Sequence, residues 1–370
     1  MKCVTENLSL AASSIGTQRH IVVHRFGAGH LGPKIYFQAG LHADEPAGMV
    51  ILHHLVRLLN ERSDEPKGEI VIVPCANPIG LSQRLQGYHA GRSDLGVGGN
   101  FNRNFPDVSA LVRERLIAIQ DEGATVDDSA IERVLRDSIA TLSPRTELNS
   151  MKQSLLKLAI DSDYVLDLHT DDEGIVYTFV SDADHPAADL LSQHTASKVT
   201  VAFLPSYITF SAGCYRPWRV ASEQVPEGST ARRFAATLEC RGTRDVSDQI
   251  AMNDARGLMG FVEAVGILAA SGNEAPVTTT FKTTLECIDY VQANTAGVIL
   301  FSKAPGDAIT VGEEVATILD PTTGDRCSLL ARSSGIVIGH AASRISVPGL
   351  TIVTIASSSP LPKGDADPFP

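Results

Sequence analysis

Four short segments of this 370-residue chain carry side chains able to do hydrolytic chemistry. The first reads Ala39-Gly-Leu-His-Ala-Asp-Glu-Pro46 and follows an apolar run. His42 and Glu45 stand three apart, and Pro46 suits the opening of a helix. A histidine at a strand end and a glutamate at a helix start can converge on one ion at the carboxyl edge of a sheet, where open α/β sheets place their sites. Taken alone, the His-x-x-Glu spacing more often marks a surface pair. The second segment, Asp167-Leu-His-Thr170, puts His169 at another strand end. Asp167, two residues back, shares its face and can orient it as a ligand, or simply cap it. The third, Gly99-Asn-Phe-Asn-Arg-Asn-Phe-Pro106, is preceded by Asn77-Pro-Ile-Gly80 and Gly91-Arg-Ser-Asp94. Asn102 and Arg103 can offer an amide and a bidentate guanidinium to a carboxylate, although an exposed Gly-rich loop also carries such groups incidentally. In the fourth, Glu239 closes the apolar run FAATLEC. A carboxylate there must be paired, metal-linked or catalytic, and Arg241 or Arg244 is the salt-bridge alternative.

For these groups to meet, their strands must lie side by side. Residues 35–39, 70–74, 164–168 and 234–238 read as buried strands, and 46–60 and 248–269 as helices. This alternation predicts an α/β fold with a mixed, mostly parallel sheet and helices on both faces. Residues 109–160 carry three helical patterns, broken near 121–125 and 143–144, which predict a helical insertion beside the active face. After the linker-like 271–276 the pattern changes to short strands and turns. Two stretches, 297–319 and 335–355, each run strand, turn, strand, and predict a small C-terminal all-β barrel or sandwich of two similar halves. The expected division is an α/β domain at 1–272, a β-domain at 277–356 and a tail at 357–370, whose Ser, Pro and Asp content predicts disorder.

Composition narrows the function. With 31 Lys and Arg against 43 Asp and Glu, the formal net charge of −12 argues against a nucleic-acid partner. An anionic small substrate stays admissible, because a few arginines set the field inside a cleft. Residues 1–30 lack a secretory pattern, and the apolar stretch at 258–270 is short and interrupted by Glu263, so no membrane contact is expected. The six cysteines are scattered without a C-x-x-C pair, which suggests reduced thiols and a cytoplasmic protein. The sequence leaves the oligomeric state open.

In order and spacing the motifs resemble the succinylglutamate desuccinylase/aspartoacylase family of the zinc carboxypeptidase superfamily, across residues 30–270. The carriers are G-x-H-x-D-E at 40–45, A-N-P-x-G at 76–80, G-R-x-D at 91–94, N-x-N-R-x-F-P-D at 100–107, D-L-H-T at 167–170 and L-E at 238–239. The run NPIGLSQ, followed by the third segment, is similar to the branch acting on N-acetyl-diaminobutyrate. The resemblance implies one Zn2+ per chain on His42, Glu45 and His169, with a position left for water, as in catalytic zinc sites. It implies Glu239 as general base, Arg92 as oxyanion stabiliser, and Asn102 and Arg103 as holders of the substrate carboxylate. Arg92 stands ten residues before Asn102, a longer spacing than in aspartoacylases, so Arg84 is the alternative. Arg232 and Arg233 fall roughly where aspartoacylases keep a second substrate arginine, but in a different local pattern. The implied activity is deacylation of a small N-acetyl or N-succinyl amino acid. The alternative is a zinc carboxypeptidase acting on short peptides, whose members lack the β-domain. The β-repeat also resembles lipoyl-type modules, but Lys303 sits at a strand end and not in the tight turn such a cofactor needs. A structural lid is the expectation.

Overall fold

The computed structural model describes residues 1–203, 209–224, 233–272 and 279–361. The four runs read as strands are neighbours at the centre of a nine-stranded mixed sheet. Glu69–Val73, Lys34–Ala39, Tyr164–Asp171 and Phe234–Gly242 lie parallel in that order. Cys3–Ser9 and His20–Phe26 extend one edge antiparallel. Val176–Val180 joins the other edge antiparallel, followed in parallel by Val199–Ala202 and Phe281–Thr284.

Consecutive residues of the central strands enter two different cores, as the strand period of two requires. Tyr36, Val71, Val73, Val165 and Ala235 point into one, packed by the helices Ser109–Asp121, Asp128–Ala140, Glu147–Ala159 and Phe210–Ser222. Ile35, Phe37, Ile72, Leu166 and Ala236 point into the other, under Ala47–Glu61, Pro186–Thr195 and Asp248–Ala264. A sheet buried on both faces has continuous apolar strands, which is why these runs stand out in the sequence. The three helices expected within 109–160 are present. The helix expected to reach 269 stops at Ala264, where Gly266 turns left-handed at φ +82. Among the described residues no helix is long and apolar enough to cross a membrane. All six cysteines are free thiols.

The C-terminal part consists of two antiparallel sheets around one apolar core that includes Ile299, Val315, Val337 and Val353. Each repeated stretch forms one antiparallel pair, Gly297–Phe301 with Glu314–Leu319 and Gly335–His340 with Thr351–Ser357. Each also lends its short middle strand to the other's sheet: Ala308–Ile309 pairs with Gly335–His340, and Ile345–Ser346 with Gly297–Phe301. This reciprocal exchange explains the sequence similarity, since both halves must provide a long hairpin and an edge strand. Lys303 is ion-paired to Glu313. The part is stitched to the main sheet twice, through Phe281–Thr284 and through Glu173–Gly174, which pairs with Gly335–His340. Most of the expected linker and tail, 273–278 and 362–370, lies outside the described residues.

Candidate metal centre

The site lies at the carboxyl edge of the four central strands. Gly40, at φ +68, turns the chain out of Lys34–Ala39 and into the loop bearing His42. That loop is held from outside: Asn77 Nδ2 donates to Leu41 O at 2.8 Å, and Ala43 N donates to Gly91 O at 3.0 Å. A Cβ on Gly91 would stand 2.2 Å from Asp44 N, so only glycine lets the 91–107 loop lie this close. Pro46 then opens the helix Ala47–Glu61 and brings Glu45 back under His42. On the neighbouring strands His169 and Glu239 are direct partners in parallel register. The ladder between those strands shifts after Glu239, where Arg241 takes φ +68, so the strand kinks just beyond the site.

His42, Glu45 and His169 are buried, and a ligand atom from each lies within 4.8 Å of the others. Glu45 bridges the two rings, with Oε1 2.8 Å from His42 Nδ1 and Oε2 2.8 Å from His169 Nδ1. The far nitrogens fix the tautomers. His42 Nε2 donates to Asn100 Oδ1 at 2.8 Å and His169 Nε2 donates to Asp167 Oδ2 at 2.9 Å, so each ring turns Nδ1 toward Glu45. Asp167 is itself held by Gln38 Nε2 at 2.9 Å, and Gln38 accepts from Tyr36 at 2.9 Å, a buried chain leading away from the site. Two imidazoles with committed outer nitrogens and one buried carboxylate form a donor set that suits zinc.

Charge at the centre is unusual. Burial works against the Glu45 carboxylate, but His169 and His42 overcome it and hold its pKa well below the usual range. Burial likewise opposes a charged His169, while Asp167 and Glu45 raise its pKa well above normal. The pocket is therefore built to hold positive charge between carboxylates. Glu239 goes the other way: burial pushes it up to about 8, with Glu45 and Asp171 adding and His169 and Arg92 opposing. Its Oε2 is buried without a hydrogen-bond partner among the described residues. Asp171 is pushed up to about 6, again chiefly by burial.

These groups face a cavity of about 500 Å3, which is also lined by Arg92, Asn102 and Arg103. Arg92 reaches the centre, with Nη1 3.2 Å from Glu45 Oε1. Asn102 spends its Oδ1 on Phe210 N at 2.8 Å, and its Nδ2 stands 3.3 Å from the protonated His169 Nε2, a contact between two donors. Only that amide nitrogen is left to meet a substrate. Arg84 is exposed, donates to Leu81 and Gln83 carbonyls, and is absent from the cavity wall. Arg233 is buried against Trp218 and bonded to Glu132 and Ser162, away from the cavity. Arg232 lies outside the described residues. Arg241 pairs with Asp254 rather than with Glu239.

The wall holds residues that sequence reasoning did not find. Tyr177 and Asp171 come from the main sheet, while Ile288, Tyr290, Ile338, His340 and Ile352 come from the C-terminal part. Asn100, the first residue of the N-x-N-R motif, sets the His42 tautomer. Asn100→Ala should keep the fold and weaken zinc binding about 10–100-fold in a chelator competition, the usual cost of losing a group that orients a ligand. Wild-type affinity in that variant would remove Asn100 from the site.

The chain matches the family model described as the succinylglutamate desuccinylase/aspartoacylase catalytic domain over residues 31–265. It is 24% identical over 296 residues to an N-alpha-acetyl-L-2,4-diaminobutyric acid deacetylase of Halomonas elongata, covering 79% of this chain and 72% of that protein. A crystal structure of a succinylglutamate desuccinylase/aspartoacylase family protein from Shewanella amazonensis superimposes with a TM-score of 0.84 at 22% identity, covering 95% of this chain and 98% of that one. The product-bound ectoine utilization protein EutE (DoeB) from Ruegeria pomeroyi gives 0.66 at 18% identity, covering 96% and 95%. At these identities the structural likeness shows the fold.

Proposed function

The chain belongs to the succinylglutamate desuccinylase/aspartoacylase family, whose named relatives are amide hydrolases, and on that premise we propose that it deacylates a small N-acetyl or N-succinyl amino acid in a zinc-dependent reaction. The observation that carries this reading is the buried His42–Glu45–His169 set lining one cavity together with Glu239. Zinc, when bound by those three residues, supplies a Lewis acid that lowers the pKa of water and polarises an acyl carbonyl. In this reading Glu239 takes the proton of the attacking water and returns it to the leaving amine. Its position beside His169 and, among the described residues, the lack of a hydrogen-bond donor on Oε2 support that role. Arg92 meets the negative charge developing on the carbonyl oxygen, a role that its closeness to Glu45 supports. Arg103 and the Asn102 amide nitrogen hold the carboxylate of the amino-acid half. The walling of the cavity by C-terminal residues supports a small substrate over a polypeptide. The H. elongata relative, named for an N-acetyl amino acid, supports the acetyl choice.

The test is release of primary amine from N-acetyl, N-succinyl and N-formyl amino acids by zinc-loaded protein, with each α-carboxylate free or amidated. The free acids should be hydrolysed, and amidation should lower kcat/KM by about 10²-fold, as expected when a desolvated guanidinium loses its partner. Arg103→Ala should erase most of that difference. Equal hydrolysis of acid and amide by the wild type would remove the carboxylate clamp, and no amine release from any substrate would remove the deacylase reading.

A further inference from the structure

The cavity holds a carboxylate that the reaction above does not use. Asp171 lies two residues beyond His169 on the same strand, hence on the same face and roughly 6–7 Å further along it. Its side chain lines the cavity and is fixed in place, accepting from Tyr177 Oη at 3.0 Å and from Asp172 N at 2.8 Å. The C-terminal part closes tightly behind it: a Cβ on Gly339 would stand 2.2 Å from Asp171 Oδ2. Among the described residues no cation pairs with Asp171, and three arginines of this region have other carboxylates as partners. Arg241 goes to Asp254, Arg344 to Glu173 at 2.8 Å, and Arg92 to Glu45. Asp172, which also lines the cavity, is exposed; among the described residues its carboxylate has no ion pair and accepts from Ala342 N.

A second feature points the same way. His340 is 5% exposed, lines the same cavity, and has no partner for Nε2 among the described residues. Its ring is stacked on Phe301 at 4.0 Å, and burial above all holds its pKa down to about 4. It is therefore a neutral imidazole, adding no positive charge to compete with a ligand. The cavity is thus bipolar: the guanidiniums come from the 91–107 loop, and the uncompensated carboxylates from the junction with the C-terminal sheet. Asp171 is half-buried, and a carboxylate that has lost part of its solvation without gaining a cation is stabilised by a cationic ligand.

We propose that Asp171, with Asp172 and His340 beside it, anchors a cationic group on the amine half of the substrate, so that the enzyme selects N-acyl amino acids whose side chain bears an ammonium. This rests on the deacylase reading. The experiment compares N-acetyl-2,4-diaminobutyrate with its uncharged isostere N-acetylnorvaline, in wild-type and Asp171→Asn protein loaded with zinc. Calorimetric titration of both proteins with free 2,4-diaminobutyrate and norvaline runs alongside. The wild type should favour the ammonium substrate by about 10–100-fold in kcat/KM, and the variant should lose most of that ratio whatever happens to both rates together, since a site built around a charge rejects ligands lacking it. Binding of the free amino acids should show the same preference and the same loss. A wild type that turns over and binds both members alike overturns the subsite, as does a preference that survives Asp171→Asn. If neither N-acetyl substrate is hydrolysed, the deacylase reading fails by itself. The binding arm still decides the subsite, upheld by an Asp171-dependent preference for the diamino acid and overturned by its absence.

Discussion

His169→Ala, loaded with zinc and freed of excess metal, is expected to retain less than about a tenth of an equivalent per chain and to lose amide hydrolysis with it, because two protein ligands do not hold the ion tightly. The loss should exceed that of an ordinary truncation. The His169 ring bridges Glu45 and Asp167, 2.8 Å from one and 2.9 Å from the other. Without it two buried carboxylates face each other with no imidazole between them, and removing one partner of a buried charged network typically costs about 3–5 kcal/mol. The variant should therefore melt earlier than metal-free wild type, a comparison that separates loss of the ring from loss of the ion. His42→Ala should also release zinc but melt closer to the metal-free protein, since Glu45 keeps His169 and the Thr170 N–H at 3.0 Å. Elemental analysis and thermal melts read both outcomes. Full zinc retention in both variants would remove this set as the metal centre.

Much of the site is legible in the sequence because its parts are local. His42 with Glu45, Asp167 with His169, and Glu239 each sit within a few residues of a strand that is apolar on both faces, and such strands announce themselves. What escapes depends on packing. Gln38 is a polar residue within the apolar run IYFQA, and it is fully buried because Tyr36 and Asp167 satisfy it across two strands. That breach of the pattern was a usable signal. Asp171, Tyr177 and His340 had none, since they meet only where Glu173–Gly174 pairs with Gly335–His340. The edge strand Cys3–Ser9 has no fully buried residue and few apolar ones, and Phe210–Ser222 contains Pro217, which reads as a helix breaker. Tertiary burial of Phe210, Cys214 and Trp218 overrides that propensity. Phe281–Thr284 follows the change in composition yet completes the main sheet, because an unpaired edge at Val199–Ala202 takes whichever strand reaches it.

Glu239→Gln should leave zinc content and fold intact while lowering kcat by about 10²–10⁴-fold, the range expected for a lost general base. The substitution is isosteric, and Glu239 makes no ion pair among the described residues that its loss would break. In the protein without metal, burial, reinforced by Glu45 and Asp171, keeps its carboxyl up at about 8, where it is mostly protonated at neutral pH. Positive charge held by His42, Glu45 and His169 lies next to it and draws that value down, so the carboxylate becomes available as a base when the ligand set is filled. The wild-type rate should accordingly rise with pH through this ionisation, and that limb should be missing from the residual activity of the Gln variant. KM should change little, because a proton acceptor acts in the transition state more than in binding. A purely structural Glu239 would behave otherwise, with a near-normal rate, an unchanged pH profile and a shifted melting temperature. Glu45→Gln provides the contrast on the same cavity wall. It removes a ligand, so its loss of rate should follow its loss of zinc, whereas that of Glu239→Gln should appear at full metal occupancy.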